Sequence, residues 1–263
     1  MSRKLLKELL PPWLARNFTG LFYGWYGNYS DWELARKKCS GYDSKEILEK
    51  VKKSSLRVKE GLAAFERDSI AFKDPEYNYS LLTAIMWIAV MNHGKLKILD
   101  FGGSLGSTYF QHKLFFDSLP HLQWYIVEQP DFIIEGQKNF SDERLMFSCS
   151  IDDCIKENNI DIILLSSVLP YIEKPYELLE SIKALRFEYI LFDKMPLIHG
   201  SDKITVQKVN PAIYKASYPC WFFNSTRFLD FMKKDYDLIF EFNNSDRANI
   251  QSEFKGFLFR IKD

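Results

Sequence analysis

Between residues 95 and 193 the chain alternates apolar runs of strand length with amphipathic runs of helix length. This alternation constrains the fold more than any other feature. The runs 96–100, 122–128, 145–148, 160–166 and 188–193 predict strands, and 108–118, 131–140, 152–158 and 175–185 predict helices. Strands separated by helices pair in parallel through right-handed crossovers. The run Ile160 to Ser166 is almost continuously apolar, as a strand covered on both faces requires. Further on, 236–242 and 254–261 predict two strands joined by a polar loop, hence an antiparallel pair. The expected fold class is α/β, a Rossmann-like, mostly parallel sheet closed by an antiparallel C-terminal hairpin.

The flanking segments read differently. Apolar residues at helical spacing over 45–53, 58–72 and 79–91 predict that residues 1–94 form a helical N-terminal arm or cap, with an aromatic stretch at Tyr23 to Trp32. Residues 95–263 are then the ligand-binding domain. Within it, 194–224 carries Pro196, Pro211 and Pro219 and reads as an irregular cap loop over the site. Ser225 or Thr226 is placed to cap a helix over 225–234.

Composition removes several function classes. Lys plus Arg, at 35, balance Asp plus Glu, at 35, so no overall field draws the chain to nucleic acid. The four cysteines make no Cys-x-x-Cys pair and no zinc spacing, so no metal is expected, and reduced thiols point to the cytoplasm. Apolar runs fall short of the roughly 18 residues that a transmembrane helix needs. The segment Met1 to Leu10 is basic and amphipathic; it reads as a terminal helix packed on its own domain, with peripheral membrane contact through residues 1–20 as the alternative.

The chemistry is expected at the carboxyl ends of the parallel strands. The first strand runs into Asp100-Phe-Gly-Gly-Ser-Leu-Gly106, and the second ends at Glu128-Gln129. Glycines at 102, 103 and 106, with Ser104, let the backbone turn tightly and lie against a ligand. An acid about 20 residues beyond such a turn is placed to accept from both ribose hydroxyls of a nucleoside. The glycine turn is one residue shorter than the dinucleotide pattern that cradles a pyrophosphate. That favours S-adenosylmethionine (SAM), which carries no phosphate, and gives Asp100 the role of facing its ammonium group. Ser150 and Ile151 fall where an adenine would pack, and Ser166 and Ser167 leave room at the fourth strand end.

For the acceptor side, Tyr171 and the segment bearing Tyr214, Tyr218 and Trp221 offer aromatic faces suited to a sugar ring, while Lys208 and Lys215 suit a phosphate. His199 is the leading candidate for a general base because imidazole titrates near neutrality. Asp193 is the second candidate, as a group to orient His199 or to hold a hydroxyl.

Four stretches in one order carry a resemblance: Phe-Gly-Gly-Ser-Leu-Gly-Ser at 101–107, Trp-Tyr-Ile-Val-Glu-Gln-Pro at 124–130, Leu-Leu-Ser-Ser-Val-Leu-Pro-Tyr-Ile-Glu at 164–173 and Ile-Tyr-Lys-Ala-Ser-Tyr-Pro-Cys-Trp at 213–221. Together they resemble a bacterial family of class I SAM-dependent methyltransferases whose genes are often found among those for lipopolysaccharide O-antigen or capsule assembly. The resemblance implies SAM as cofactor, S-adenosylhomocysteine (SAH) as product and a small glycan precursor as acceptor. Two other readings stand beside it. One is an NAD-linked oxidoreductase or epimerase of nucleotide sugars; the other is a non-catalytic module of a glycan-assembly complex.

Overall fold

The computed structural model describes residues 23–40, 44–211 and 213–263. The terminal helix expected within 1–20 lies outside them. In chain order the strands are β1 (Gly24–Tyr29), β2 (Phe65–Arg67), β3 (Ile70–Phe72), β4 (Lys95–Phe101), β5 (His121–Val127), β6 (Leu145–Ser148), β7 (Ile162–Ser166), β8 (Tyr189–Ile198), β9 (Lys203–Lys208), β10 (Ser217–Asn224), β11 (Tyr236–Asn243) and β12 (Glu253–Ile261). The helices are α1 (Trp32–Arg36), α2 (Ser44–Lys59), α3 (Tyr79–Met91), α4 (Ser107–Gln111), α5 (Lys113–Phe116), α6 (Pro130–Asn139), α7 (Ile151–Glu157), α8 (Pro175–Ala184) and α9 (Ser225–Met232), with a short 3₁₀ turn at Leu169–Tyr171.

Seven strands form the body of the sheet in the order β6-β5-β4-β7-β8-β12-β11. The first five are parallel, and β12 runs antiparallel to both β8 and β11. This is the expected α/β sheet with its antiparallel C-terminal hairpin. Successive residues of each central strand point to opposite faces. Ile98, Trp124, Ile126, Ile162, Leu164 and Leu191 pack on one face with α3, α4 and α6. Leu99, Tyr125, Val127, Ile163, Leu165 and Phe192 pack on the other with α7, α8 and α9. Both faces are therefore covered, which is why these strands carry almost no alternating polarity.

Three expectations need correction. First, 194–224 is not an irregular loop. Strand β8 continues past Asp193 to Ile198, and β9 and β10 follow. Leu197 and Ile198 pair in parallel with Phe223 and Asn224, beyond the end of β7, so β10 joins β8 above the cleft; β9 and then β1 extend this second wing. The prolines misled because both occupy strand positions with one unpaired edge. Pro196 lies where β8 has left β7 and not yet met β10, and Pro219 pairs only with Val206 of β9.

Second, the N-terminal region is not wholly helical. Tyr23 to Trp32 contributes β1, an edge strand of the same sheet, and the helix expected over 58–72 gives way to the hairpin β2–β3. Asp68 and Ser69 take left-handed φ values of 51° and 64°, which fit a two-residue hairpin turn. Phe65 and Phe72 stack across the pair at 4.7 Å.

Third, the helix expected over 108–118 breaks at His112. The buried His112 ring bonds the Thr108 carbonyl through Nδ1 at 2.9 Å and accepts the Asn78 backbone N–H at Nε2 at 3.1 Å. It is thereby held as a neutral structural tie, and burial lowers its pKa accordingly. At α9, Asn224 and not Ser225 or Thr226 is the cap, accepting the Arg227 N–H at 2.7 Å. None of the described helices is long and apolar enough to cross a membrane.

Candidate functional site

A cavity of about 520 Å³ opens at the carboxyl ends of β4, β5 and β7, where the strand order reverses between β5 and β7 on either side of β4. Its floor is the turn after β4. Gly102 has φ 74° and donates its N–H to the Val127 carbonyl at 2.8 Å, which ties the turn to the neighbouring strand. A Cβ at Gly103 would stand 2.5 Å from the carboxyl carbon of Asp100, so only glycine lets the turn close over that acid. Gly106, the third expected glycine, does not line the cavity; it starts α4 in a left-handed conformation at φ 93°.

The two acids expected to mark the ligand converge here. Glu128, at the end of β5, accepts the Ser104 N–H at 3.3 Å and the Gln129 N–H at 2.7 Å. Burial raises its pKa. Asp100 is 1% exposed and accepts the Trp124 Nε1–H at 3.1 Å. Burial, with the Glu128 charge adding to it, pushes its carboxyl up to about 7 against the single opposing Trp124 bond. An acid so short of donors is poised to gain from a cation placed beside it.

Ser166 and Ser167 line the cavity at the end of β7, and Tyr171, Tyr214 and Tyr218 form its far wall. Tyr171 donates to Gln207 Oε1 at 2.8 Å and meets the Tyr218 ring edge-on at 5.2 Å. Tyr218 and Tyr214 share a side-chain hydrogen bond. Burial raises all three phenols, so they stay neutral near pH 7 and serve as hydrogen-bonding groups, not bases.

Seven other expected residues are placed elsewhere. Ser150 caps α7, accepting the Asp153 N–H at 3.0 Å, and Ile151 begins that helix; neither lines the cavity, because β6 is short and ends at Ser148. Trp221 packs between Trp32 and Phe223 and donates to the Ile172 carbonyl. His199 is exposed in the turn between β8 and β9, carried away from the cleft by the extension of β8. Asp193 is 1% exposed and its carboxylate is already occupied. It accepts from Asn78 Nδ2 (3.1 Å), Asn244 Nδ2 (2.8 Å) and Ser166 Oγ (2.9 Å), joining the cap of α3, the residue just after β11 and the end of β7. Neither candidate base lines the cavity. Lys208 lies over the Tyr26 ring, and Lys215 is exposed; neither lines the cavity.

The sequence reading missed the wall made by the β2–β3 hairpin. Glu66 is buried there and accepts Ser107 Oγ–H at 2.5 Å and the Ser69 N–H at 2.7 Å. Burial raises its pKa. Ser54 Oγ donates to the Ser69 carbonyl at 2.6 Å and holds the turn from α2. Asp68 projects from the turn at the rim, and Lys194 and Gln207 complete the opposite side. A usable signal was present, since Phe65 and Phe72 bracket a polar Arg-Asp-Ser run of hairpin length. Among the described residues no group of three or more His, Cys, Asp and Glu side chains could hold a metal ion.

No family model matches the chain, and no curated protein matches it in sequence. Solved structures similar to it in fold include a SAM-dependent methyltransferase from Clostridium acetobutylicum, at 11% identity and TM-score 0.46, covering 72% of this chain and 94% of that one. Another is 1,6-didemethyltoxoflavin-N1-methyltransferase from Burkholderia thailandensis with its substrate and SAH bound, at 13% identity and TM-score 0.46, covering 85% and 92%. A third is magnesium protoporphyrin IX methyltransferase from Synechocystis with bound SAM, at 10% identity and TM-score 0.47, covering 85% and 99%.

Proposed function

We propose that the protein is a SAM-dependent methyltransferase acting on a small hydroxyl-bearing acceptor, and that the acceptor is a sugar or phosphate-type precursor of a surface polysaccharide. One observation carries the reading. The Gly102–Ser104 turn and the Glu128 carboxylate face a single cavity and are joined by the Ser104 N–H bond to Glu128. The residues fit the donor: Glu128 offers carboxylate oxygens for a ribose diol, Gly103 lets the turn lie close over Asp100, and Asp100 offers a carboxyl that accepts a single hydrogen bond and can face an ammonium. SAM supplies an electrophilic methyl on a sulfonium. The chain supplies position: Ser166, Ser167 and the tyrosine wall bound the space in which an acceptor oxygen is aligned, and alignment alone contributes several kcal/mol to such a displacement. The neutral phenols and Gln207 suit a polyhydroxyl acceptor.

Calorimetric titration with SAM, SAH and NAD tests the reading. Saturable SAM and SAH binding with no NAD binding is expected, and Glu128→Ala weakens SAH by about 1–3 kcal/mol, the scale of a lost charge-assisted bond. NAD binding alone, or SAH affinity unchanged in Glu128→Ala, overturns it.

A further inference from the structure

Lys194 is the residue that local rules explain least. It sits on β8 immediately after Asp193, where β8 carries one more residue than β12: Lys255 pairs with Met195, yet Phe257 pairs with Phe192. This is a β-bulge, a device that re-aims a side chain and is common beside active sites. At the bulge Lys194 takes φ 57°, a left-handed conformation that glycine or asparagine adopts more cheaply. Its N–H is spent on Asn244 Oδ1 at 3.2 Å, which fixes the backbone in that shape. On its other edge β8 has left Ser166 of β7 and has not yet reached β10, so Lys194 stands at a gap that opens onto the cavity it lines.

Lys194 is half-buried there. Four carboxyl side chains, Glu66, Asp68, Asp100 and Glu128, line the same cavity, but among the described residues none forms an ion pair with Lys194. Glu66, Asp100 and Glu128 are each held by their own donors. The other cation of the cavity, Arg67, is already committed to Glu76 at 2.8 Å and to the Phe65 ring. A lysine in a left-handed backbone conformation that lines a cleft and forms no ion pair among the described residues offers its charge to an anion.

We propose that Lys194 anchors an anionic group of the methyl acceptor, a phosphate or a carboxylate, beside the ends of β7 and β8. This rests on the methyltransferase reading for the identity of the second ligand but not for the presence of the subsite. The donor's own methionine carboxylate shares the chemistry, and the experiment separates the two. SAH-saturated protein is titrated calorimetrically with inorganic phosphate. Saturable binding is expected, about tenfold weaker in Lys194→Gln, unchanged in Lys208→Gln, with SAH affinity the same in all three. Lys194→Gly is expected to lose phosphate binding while its urea midpoint rises, since glycine relieves the left-handed backbone; a merely structural lysine would lower that midpoint. Absence of phosphate binding in the wild type, or equal binding in Lys194→Gln, overturns the proposal. So does a tenfold loss of SAH affinity in Lys194→Gln with no phosphate bound to the SAH complex, which would assign the lysine to the donor. If SAH itself does not bind, the methyltransferase reading fails; phosphate binding to the ligand-free protein that depends on Lys194 still upholds the subsite.

Discussion

Asp100→Asn is expected to stabilise the ligand-free protein and weaken its hold on the donor. The carboxyl moves from an ordinary 3.8 to about 7 on folding, because it is buried with one hydrogen bond from Trp124. A raised pKa means that the folded state binds the proton more tightly than the unfolded chain. The associated stability is therefore complete below pH 3.8, declines as the pH rises through about 7, and is level beyond. The shift of roughly three units is worth about 4 kcal/mol at 1.36 kcal/mol per unit. Asparagine keeps an oxygen for the Trp124 N–H and cannot ionise, so it removes that decline. Urea denaturation of wild type and variant at pH 5 and pH 8 reads the effect, and the variant's advantage at pH 8 exceeds that at pH 5 by about 2–3 kcal/mol. In the same variant SAH binds more weakly, since an amide offers no charge to an ammonium. An equal stability change at both pH values would refute the claim that Asp100 folds as a neutral acid, and unchanged SAH affinity would remove it from the donor site.

Two further variants probe the candidate bases. Asp193→Ala strands the Asn78 and Asn244 amides and the Ser166 hydroxyl, and is expected to cost about 2–4 kcal/mol by urea denaturation; a change below 0.5 kcal/mol, on the ~0.5 scale of ordinary surface substitutions, would show that the three-way tie is not structural. His199→Ala is expected to leave both stability, within about 0.5 kcal/mol, and SAH affinity unaltered, and to leave methyl transfer to any acceptor at the wild-type rate; slowed transfer would bring the turn after β8 back into the site.

The side of the cavity made by the glycine turn and Glu128 was legible in the sequence because it is local. A strand, a glycine turn and an acid at the next strand end follow one another within about one βαβ unit, and each element constrains the next. Asp100, Gly102, Gly103, Ser104, Glu128 and Gln129 accordingly fall around one cavity. The reading failed where the same local rules had a second solution. Apolar residues over 58–72 satisfied a helical period, yet the Asp68-Ser69 turn and the Phe65–Phe72 stack made a hairpin. Prolines at 196 and 219 argued against strands, yet each sits on an edge that needs no donor at that position.

The opposite side of the cavity is long-range by construction. Its walls come from the hairpin at 65–72, the bulge at Lys194, the second wing at Gln207 and Tyr218, and Tyr171. These are brought together by two pairings that no window of sequence contains. One is the meeting of Leu197 with Phe223; the other is the joining of Asn78, Ser166 and Asn244 through Asp193. Extending β8 by five residues makes the first of these, and it places His199 beyond the cavity while Lys194 lines it. Substitutions at Lys194, or at Asn244, which accepts the Lys194 N–H, should shift acceptor preference before they shift donor affinity.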